Sequence, residues 1–440
     1  MNGQIVYLLY FAPLLLVFAL VVRRRDRRER EMLAALNEAR EAGLTQPPSL
    51  HPVVDPLRCI GCSSCIHACP EFPAHQILGL IDRKATLISP TDCIGHGACE
   101  KACPVGAIKL VFGTAERGVD IPRVNADYST NVPGVFIAGE LGGMGLIRNA
   151  VSQGRQAIDG VRAWLKTASR APAEVDVFIV GAGPAGLAAT LGATAAKLRY
   201  RTIEQNSLGG TVANFPRGKL VMTEPAELPV VGAFRFSEVR KETLIAFWED
   251  VRSRTGIEIH TGERFLGVTA DADGILNVST TRGNFRSRAL ILAIGRRGTP
   301  RRLDVPGEEL DKVSYTLIDP AEHAGRRVLV IGAGDSALEA ACACAEAGAA
   351  TVTLVVRGDN LARARRRNQE HVGRLVDERR LSVLYNAHIT AIGKDKVAIT
   401  IGGARSALDN DVVIICVGGI LPTPLLESIG VDVQTKYGTA

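Results

Sequence analysis

The sequence predicts an α/β protein with two nucleotide-binding βαβ domains, a small cysteine-rich α+β domain and an N-terminal transmembrane helix. Three observations predict this arrangement. An uncharged run of 18 residues lies near the N-terminus, seven of the ten cysteines fall within 59–103, and two glycine-rich turns each follow an apolar strand. A chain of 440 residues is long enough for two or three domains with buried cores.

The N-terminal run "IVYLLYFAPLLLVFALVV" (5–22) contains no charge. As a helix it would be about 27 Å long, close to the hydrocarbon thickness of a bilayer. The tract "RRRDRRER" (23–30) follows, and positive charge on that side places the body of the chain in the cytoplasm. We therefore expect a single-pass helix over 4–22 in the cell (inner) membrane and a basic juxtamembrane helix and linker over 23–49. A buried core helix and a cleaved signal peptide are the alternatives.

The net charge of +6 is concentrated in this basic tract. Six arginines and two acidic residues give the tract +4, which leaves +2 for the rest of the chain. A short basic tract beside an apolar run differs from the extended basic surface of a nucleic-acid-binding protein. We therefore expect no nucleic-acid partner.

The first cysteine motif is "CIGCSSCIHACP" (59–70), with the spacing C-x2-C-x2-C-x3-C-P. In this pattern three closely spaced thiolates bind one cubane cluster, and the cysteine before proline reaches a second cluster. A zinc site would normally use two separated C-x2-C pairs. The segment resembles the bacterial-type two-cluster ferredoxins over 50–112, and the resemblance implies two iron–sulfur clusters.

The second motif, "CIGHGACEKACP" (93–104), has a histidine where the resemblance implies the second cysteine. Crosswise ligation gives one cluster the ligands Cys59, Cys62, Cys65 and Cys103. The other cluster has Cys69, Cys93, Cys99 and, in one alternative, His96. Three states stay open for it: 4Fe–4S with an imidazole ligand, 4Fe–4S with water or another ligand, and 3Fe–4S. A neutral imidazole in place of a thiolate would raise the reduction potential.

The first glycine-rich turn lies in "VFIVGAGPAGLAA" (177–189), which predicts a strand, a tight turn and a helix. Gly181 permits the turn, Gly183 lets the backbone approach a pyrophosphate, and Gly186 lets the helix pack on the strand. Glu204 ends the following strand, where its carboxylate can accept hydrogen bonds from a ribose diol. The pattern predicts FAD or NAD binding, with a plain glycine-rich turn as the alternative.

A second turn of this kind lies in "RRVLVIGAGDSALEAA" (326–341), where Gly332, Gly334 and Ala337 occupy the three positions. The strand that follows this turn leads to Arg357, where the first turn has an acidic residue, and Arg363 is nearby in sequence. Arginine at this place favours a 2′-phosphate and therefore NADPH over NADH. A solvated basic helix is the alternative for the arginines beyond Arg357.

The two turns, one followed by an acid and one by a base, resemble the pyridine nucleotide–disulfide oxidoreductase superfamily, in the branch of thioredoxin reductase and ferredoxin–NADP reductase. The resemblance implies two Rossmann-like domains, an FAD domain over 174–300 and an NAD(P)H domain over 301–418, with a return into the FAD domain over 419–440. "ALILAIG", which ends at Gly295, resembles the strand that leaves the FAD domain. "LGGTVANFP" (208–216) resembles the flavin-contacting loop, and the implied contacts are Gly209, Gly210, Thr211 and Asn214.

The order of the flavin-binding segments departs from this family. The family's C-terminal "T-x-x-P-G-x-F-x-A-G-D" resembles "TNVPGVFIAGE" (130–140), which here comes before the first glycine-rich turn. Gly139 matches, and Glu140 replaces the aspartate. We therefore expect a circularly permuted FAD domain whose C-terminal part lies at 113–166, after the ferredoxin-like segment. The alternative is a separate partial domain. The permuted order would bring the clusters within electron-transfer reach of the flavin.

The dithiol of thioredoxin reductases is absent, because residues 315–327 contain no cysteine. Cys342, Cys344 and Cys416 are predicted to be core residues. We therefore predict a membrane-anchored NAD(P)H-dependent flavoprotein oxidoreductase that passes electrons between NADPH, FAD and the clusters to a redox protein or quinone. No catalytic acid or base is assigned, and the resemblance also implies a homodimer. The alternatives are electron flow towards NADP⁺, a low-molecular-weight disulfide reductase, and a non-catalytic redox sensor or electron-transfer subunit of a membrane complex.

Overall fold

The computed structural model describes residues 3–41, 47, 50–73, 76–93, 95–114, 118–143, 145–223, 225–236, 238–296, 298–362 and 364–438. The chain divides into two compact units. The small unit comprises Met1–Gly118 together with Lys436–Ala440, and the large unit comprises Val119–Thr435.

The N-terminal helix spans Gly3–Glu41. The apolar run 5–22 is only its first part, because the helix continues without a break through the arginine-rich tract. In the described ranges no helix is both long enough and apolar enough to cross a bilayer. The prediction of a transmembrane helix over 4–22, and the cell-membrane localisation that rested on it, is therefore wrong.

The later part of this helix packs on the cysteine-rich part of the small unit. Leu36 is buried. The Leu80 amide donates to the Met32 sulfur at 3.1 Å, and the Asp82 amide donates to Glu29 Oε1 at 2.7 Å. These contacts attach side chains of the helix to backbone amides of residues 78–87.

The cysteine-rich part is built from two antiparallel strand pairs and two single-turn helices, as the predicted α+β domain requires. The strand pairs are His51–Val54 with Ile108–Val111, and Leu78–Ile81 with Lys84–Leu87. The helices are Ser64–His67 and Ala98–Lys101, with a 3₁₀ turn at Pro90–Asp92. The apolar side chains of Ile66, Leu78, Ala85 and Ile108 form its core together with several cysteines.

The first sheet of the large unit has five parallel strands, as expected for a dinucleotide-binding domain. Their spatial order is His260–Thr261, Tyr200–Glu204, Val177–Val180, Leu290–Leu292 and Val135–Ile137. The helices of this domain are Ile147–Thr167, Pro184–Ala195 and Lys241–Thr255. The last strand in space is the first in sequence, so residues before the glycine-rich turn complete this sheet.

Small residues hold the helix Ile147–Thr167 close to the helix Pro184–Ala195. A Cβ atom on Gly154 would lie 3.1 Å from the Ala188 Cβ and would overlap the Ala185 carbonyl. A Cβ atom on Gly192 would lie 3.3 Å from Ile158. This close approach fixes the helix of the early segment against the helix that begins at the first glycine-rich turn.

The second sheet of the large unit also has five parallel strands, so both predicted nucleotide-binding domains are present. Their order is Val313–Ser314, Val412–Ile415, Arg327–Ile331, Thr351–Val355 and Ser382–Leu384. Two helices, Asp335–Glu346 and Arg366–Asp377, pack against one another and belong to the same buried core.

Antiparallel strands complete the large unit. Two three-stranded meanders are Phe265–Ala270, Leu276–Thr280 and Gly283–Ser287, and Ala387–Ile392, Lys396–Ile401 and Ala404–Asp409. The remaining pairs are Leu220–Met222 with Glu238–Arg240, Ala226–Leu228 with Gly232–Phe234, Thr299–Pro300 with Gly419–Ile420, and Val119–Pro122 with Val433–Lys436. Short helical segments lie at Glu140–Gly142, Gly210–Val212, Pro320–His323 and Thr423–Ser428.

Candidate redox site

The cysteines of the two motifs line two cavities in a crosswise arrangement. The first cavity is lined by Cys59, Cys62, Cys65 and Cys103. The second cavity is lined by Cys69, Cys93, His96 and Cys99. Each cavity thus receives one cysteine from the other motif, as the crosswise scheme requires.

The single-turn helices produce this exchange. Cys65 lies within the helix Ser64–His67, and Cys69 follows just beyond its end, so one turn directs the two sulfurs to different cavities. Cys99 and Cys103 have the same relation to the helix Ala98–Lys101. The spacing C-x3-C-P therefore places each motif across both cavities.

Burial makes the sulfurs of Cys65, Cys69 and Cys99 poor anions without a nearby cation. Desolvation, with the neighbouring Cys59 and Cys62, raises the pKa of Cys65 to about 11. Desolvation and Cys93 raise the pKa of Cys99 to about 12. Bound iron would supply the positive charge that keeps such sulfurs deprotonated, so this donor set fits an iron–sulfur cluster. In the described ranges, no group of three or more His, Cys, Asp or Glu side chains is arranged to hold a single metal ion.

Backbone amides also approach the sulfurs of the first cavity. The Ala85 amide donates to Cys59 Sγ at 3.4 Å, and the Ala107 amide donates to Cys103 Sγ at 3.2 Å. Cys62 is exposed, and its hydrogen bond with Ser64 lowers the pKa of its thiol. The first cavity therefore has one sulfur at the surface of the small unit.

His96 is oriented by the backbone of the second motif. Its Nδ1 accepts a hydrogen bond from the Ala98 amide at 3.2 Å. Its Nε2 is buried and has no hydrogen-bond partner among the residues that the structure describes. Burial lowers the pKa of this imidazole. Glu71, which sequence reasoning did not single out, lines the same cavity.

The first glycine-rich turn has the geometry of a pyrophosphate cradle. Gly181 has a φ of +104°, and a Cβ atom there would lie 2.5 Å from the Ala293 carbonyl oxygen. A Cβ atom on Gly186 would overlap the Gly181 carbonyl. At Gly183 a Cβ atom would meet nothing within 4 Å, so this face of the backbone is open. The helix Pro184–Ala195 begins directly after it, with its free amides available to an anion.

Glu204 lies at the end of the adjacent strand and is buried. Its Oε2 accepts the Ala182 amide at 2.8 Å, and its Oε1 accepts the Asn206 amide at 2.9 Å. The carboxylate therefore holds the turn in shape, and each oxygen keeps a lone pair for a ribose hydroxyl.

The predicted flavin loop and the early segment both reach this turn. The Gly209 amide donates to the Ala182 carbonyl at 2.9 Å, and a Cβ atom on Gly210 would lie 3.2 Å from Gly183 Cα. A Cβ atom on Gly139 would lie 2.9 Å from the Ala185 Cβ.

The other predicted flavin-site residues lie on the same elements. Thr211 lies in the turn Gly210–Val212, and the Asn214 side chain donates to the Gly210 carbonyl at 3.4 Å. Glu140 is exposed and begins the turn Glu140–Gly142. Gly295, with a φ of +66°, follows the strand Leu290–Leu292.

Sequence reasoning missed Gln153, a buried polar residue on the helix Ile147–Thr167. Its Oε1 accepts the Gly139 amide at 2.8 Å. A glutamine among the apolar and small residues of this helix face was the available signal. It fixes the backbone beside the first turn.

The second glycine-rich turn repeats the first. Gly332 has a φ of +143°, and a Cβ atom there would overlap the Cys416 carbonyl and lie 3.0 Å from the Ala337 Cβ. A Cβ atom on Gly334 would meet no described atom within 4 Å. Arg357 is exposed just after the strand Thr351–Val355, and Arg363 lies outside the described residues. The turn is therefore open at the same position as the first one.

The remaining cysteines lie in or against one buried core. Cys342 and Cys344 are buried in the core of the second nucleotide-binding domain. Desolvation raises the pKa of each thiol to about 12, so both stay protonated at neutral pH. Cys416 is partly buried and packs against the same core.

Comparison with known proteins gives two family matches. Residues 178–438 match the family described as pyridine nucleotide-disulphide oxidoreductase, and residues 51–104 match the 4Fe-4S dicluster domain. The first match covers more than half of the chain.

The similar curated proteins include two ferredoxin–NADP reductases. That of Ignicoccus hospitalis is 30% identical over 267 residues, which are 59% of this chain and 83% of the relative. That of Levilactobacillus brevis is 29% identical over 248 residues, which are 54% of this chain and 70% of the relative. Among solved structures, the bacillithiol disulfide reductase of Bacillus cereus aligns with a TM-score of 0.50 at 24% identity. It covers 59% of this chain and 82% of that one, which shows similarity of fold.

Proposed function

Because the chain belongs to the pyridine nucleotide-disulphide oxidoreductase family and carries a 4Fe-4S dicluster domain, we propose that it passes electrons from NADPH through FAD to its own iron–sulfur clusters and on to a redox partner. Family membership confirms the predicted enzyme class, an NAD(P)H-dependent flavoprotein oxidoreductase. One observation carries the proposal: a single chain combines two open glycine-rich turns with two cysteine-lined cavities.

The first turn is the proposed FAD site. Glu204 would hold the ribose, and the amides after Gly183 would hold the pyrophosphate. The loop with Gly209 and Gly210, and the early segment with Gly139, lie against this turn, so they can reach the flavin half of the same ligand. When bound, FAD accepts a hydride and releases single electrons, which is the chemistry that connects a nicotinamide to iron–sulfur clusters.

The second turn is the proposed NADPH site. Gly334 leaves the backbone open to a pyrophosphate, as Gly183 does in the first turn. Arg357 lies one residue beyond the position that Glu204 occupies in the first domain. The site would therefore offer a cation to a 2′-phosphate, where the first site has a carboxylate for a ribose diol.

A circular permutation of the FAD domain accounts for the order of the segments. The strand Val135–Ile137 completes the first sheet, although it precedes the glycine-rich turn in sequence. The Arg123 amide donates to the Asp432 carbonyl at 2.8 Å, and the Thr435 hydroxyl donates to Asp120 Oδ1 at 2.8 Å. These contacts pair Val119–Pro122 with Val433–Lys436 as the two arms of an interrupted hairpin. The domain boundaries stay predictions.

The dicluster domain is the proposed electron acceptor of the flavin. The relatives are named ferredoxin–NADP reductase, so their names give ferredoxin as their redox partner. In this chain the cysteine-lined cavities would take that role from within the same polypeptide. The exposed Cys62 and the 64% exposed Ile60 border the first cavity, which supports electron exit to a protein partner there. The predicted homodimer stays a prediction.

Low-temperature EPR of the anaerobically purified full chain, before and after addition of NADPH, tests this route. We expect the flavin absorbance to bleach and reduced-cluster signals to appear together. Dithionite serves as the control, because it can reduce accessible clusters directly and does not need electrons to pass through the flavin. Clusters that dithionite reduces and NADPH leaves oxidised would contradict electron flow from NADPH. Turnover of a small disulfide that survives loss of the clusters would favour the disulfide reductase instead.

A further inference from the structure

The two ring nitrogens of His96 have different surroundings. Nδ1 faces the backbone and accepts the Ala98 amide hydrogen at 3.2 Å. Nε2 is buried and has no partner in the described part of the chain, and the residue lines the second cavity beside Cys69, Cys93 and Cys99. The group that would fill this cavity is therefore the available partner of Nε2.

The hydrogen bond at Nδ1 assigns the tautomer. A nitrogen that accepts a hydrogen bond carries a lone pair, so the neutral ring has its proton on Nε2. A metal-ligating histidine normally has the opposite arrangement, in which the nitrogen away from the metal donates its N–H to a carboxylate, carbonyl or water. If Nε2 bound iron while Nδ1 still accepted the Ala98 hydrogen bond, neither ring nitrogen could carry a proton. The ring would then have to be an imidazolate anion. His96 is thus set up as a donor towards the cavity.

We propose that His96 is not an iron ligand but donates its Nε2–H to a sulfur of a 3Fe–4S cluster held by Cys69, Cys93 and Cys99. This inference rests on the iron–sulfur part of the proposed function and selects one of the three states that the sequence left open. Three cysteine sulfurs match the three irons that need a protein ligand.

The hydrogen bond has an electronic consequence. A donor to a cluster sulfur stabilises the reduced, more negative cluster and raises its reduction potential. The same ring also stabilises the start of the helix Ala98–Lys101 through the amide of its first residue. Asparagine at position 96 can supply both interactions, since its Oδ1 accepts an amide two residues on and its Nδ2 donates.

The test is EPR of the full chain, purified without oxygen and kept oxidised, with iron analysis and a redox titration. We expect the signal of an oxidised three-iron cluster and about seven irons per chain. His96→Cys should lose this signal, gain a second reduced four-iron signal and bind about eight irons. His96→Asn should keep the signal with a potential near that of the wild type. His96→Ala should keep the signal with a lower potential.

Opposite results would overturn the inference. A wild-type chain with two four-iron clusters, and a three-iron signal only in His96→Ala, would make His96 a ligand. If ferrous iron and thiol convert the wild-type three-iron cluster into a four-iron cluster, the three-iron cluster arose by loss of iron from a native four-iron cluster. If the reduction potential of the cluster is the same in His96→Ala as in the wild type, His96 does not donate a hydrogen bond to a cluster sulfur. Because these spectra are recorded without NADPH, they stay valid if electron transfer from the flavin fails.

Discussion

Ile137 lies in parallel register beside Leu292 at the edge of the first sheet. On its other side, Leu292 pairs with Val180, which immediately precedes the first glycine-rich turn. The strand Leu290–Leu292, which follows the turn in sequence, therefore lies between two strands that precede it. The FAD-type domain needs residues 118–166, although they precede the turn in the chain.

A chain with the segments reordered should fold and bind FAD. In this variant residues 118–166 follow residue 438 through a short loop, and a flexible linker joins residue 113 to residue 174. The loop would restore the hairpin of Val119–Pro122 and Val433–Lys436, and surface hairpins tolerate such changes. FAD content after gel filtration and the thermal melting curve measure the outcome. A control that lacks 118–166 altogether should lose FAD, and failure of the reordered chain alone would argue against a permutation.

The two open glycines should separate FAD binding from NADPH binding. Gly183→Ala should leave the fold intact, because its Cβ meets no protein atom within 4 Å, and should weaken FAD by about tenfold or more, about 1.4 kcal/mol. Gly334→Ala should instead raise the KM for NADPH about tenfold at unchanged FAD content. Flavin titration and steady-state kinetics measure the two effects.

Gly186→Ala is the matched control for this pair. Its Cβ would overlap the Gly181 carbonyl, so we expect a loss of stability in addition to a loss of FAD. If Gly183→Ala lowered the melting temperature as much as Gly186→Ala, the open face at Gly183 would have a structural role rather than a binding role.

Arg357 should determine the preference for NADPH. Arg357→Gln removes a charged hydrogen-bond donor, so the KM for NADPH should rise roughly 10- to 100-fold while that for NADH stays unchanged. Arg367→Gln is the control, because Arg367 is an exposed residue of the basic helix Arg366–Asp377. If both variants raised the KM for NADPH equally, NADPH would be attracted by the basic surface as a whole. High salt would then abolish the difference between the KM values for NADPH and NADH.

The parts of the site that the sequence predicted are those set by short spacing. The turns at Gly181 and Gly332 and the motif from Cys59 to Cys69 depend on neighbours within about ten residues, so local patterns suffice. Gln153 was missed because its role is a hydrogen bond to Gly139 on another element. The tautomer of His96 depends on the Ala98 amide direction, which spacing does not reveal.

The N-terminal helix shows the limit of local reading. A window over 5–22 contains no charge, which favours a membrane span. The window does not show that the same helix continues to Glu41 and packs on Leu80 and Asp82 through Met32 and Glu29. These contacts join residues that are 48 and 53 positions apart in sequence, and no periodicity within the helix indicates them.

Cys103 should belong to the first cluster although it lies in the second motif. It lines the cavity of Cys59, Cys62 and Cys65, so Cys103→Ala should remove the four-iron signal of that cluster and leave the signal of the second. Cys69→Ala should have the reverse effect, because Cys69 lines the second cavity. Cys342→Ala, in a core far from both motifs in sequence, should leave the iron content unchanged. EPR and iron analysis of the three variants separate crosswise ligation from ligation within each motif, in which Cys103→Ala would affect only the second cluster.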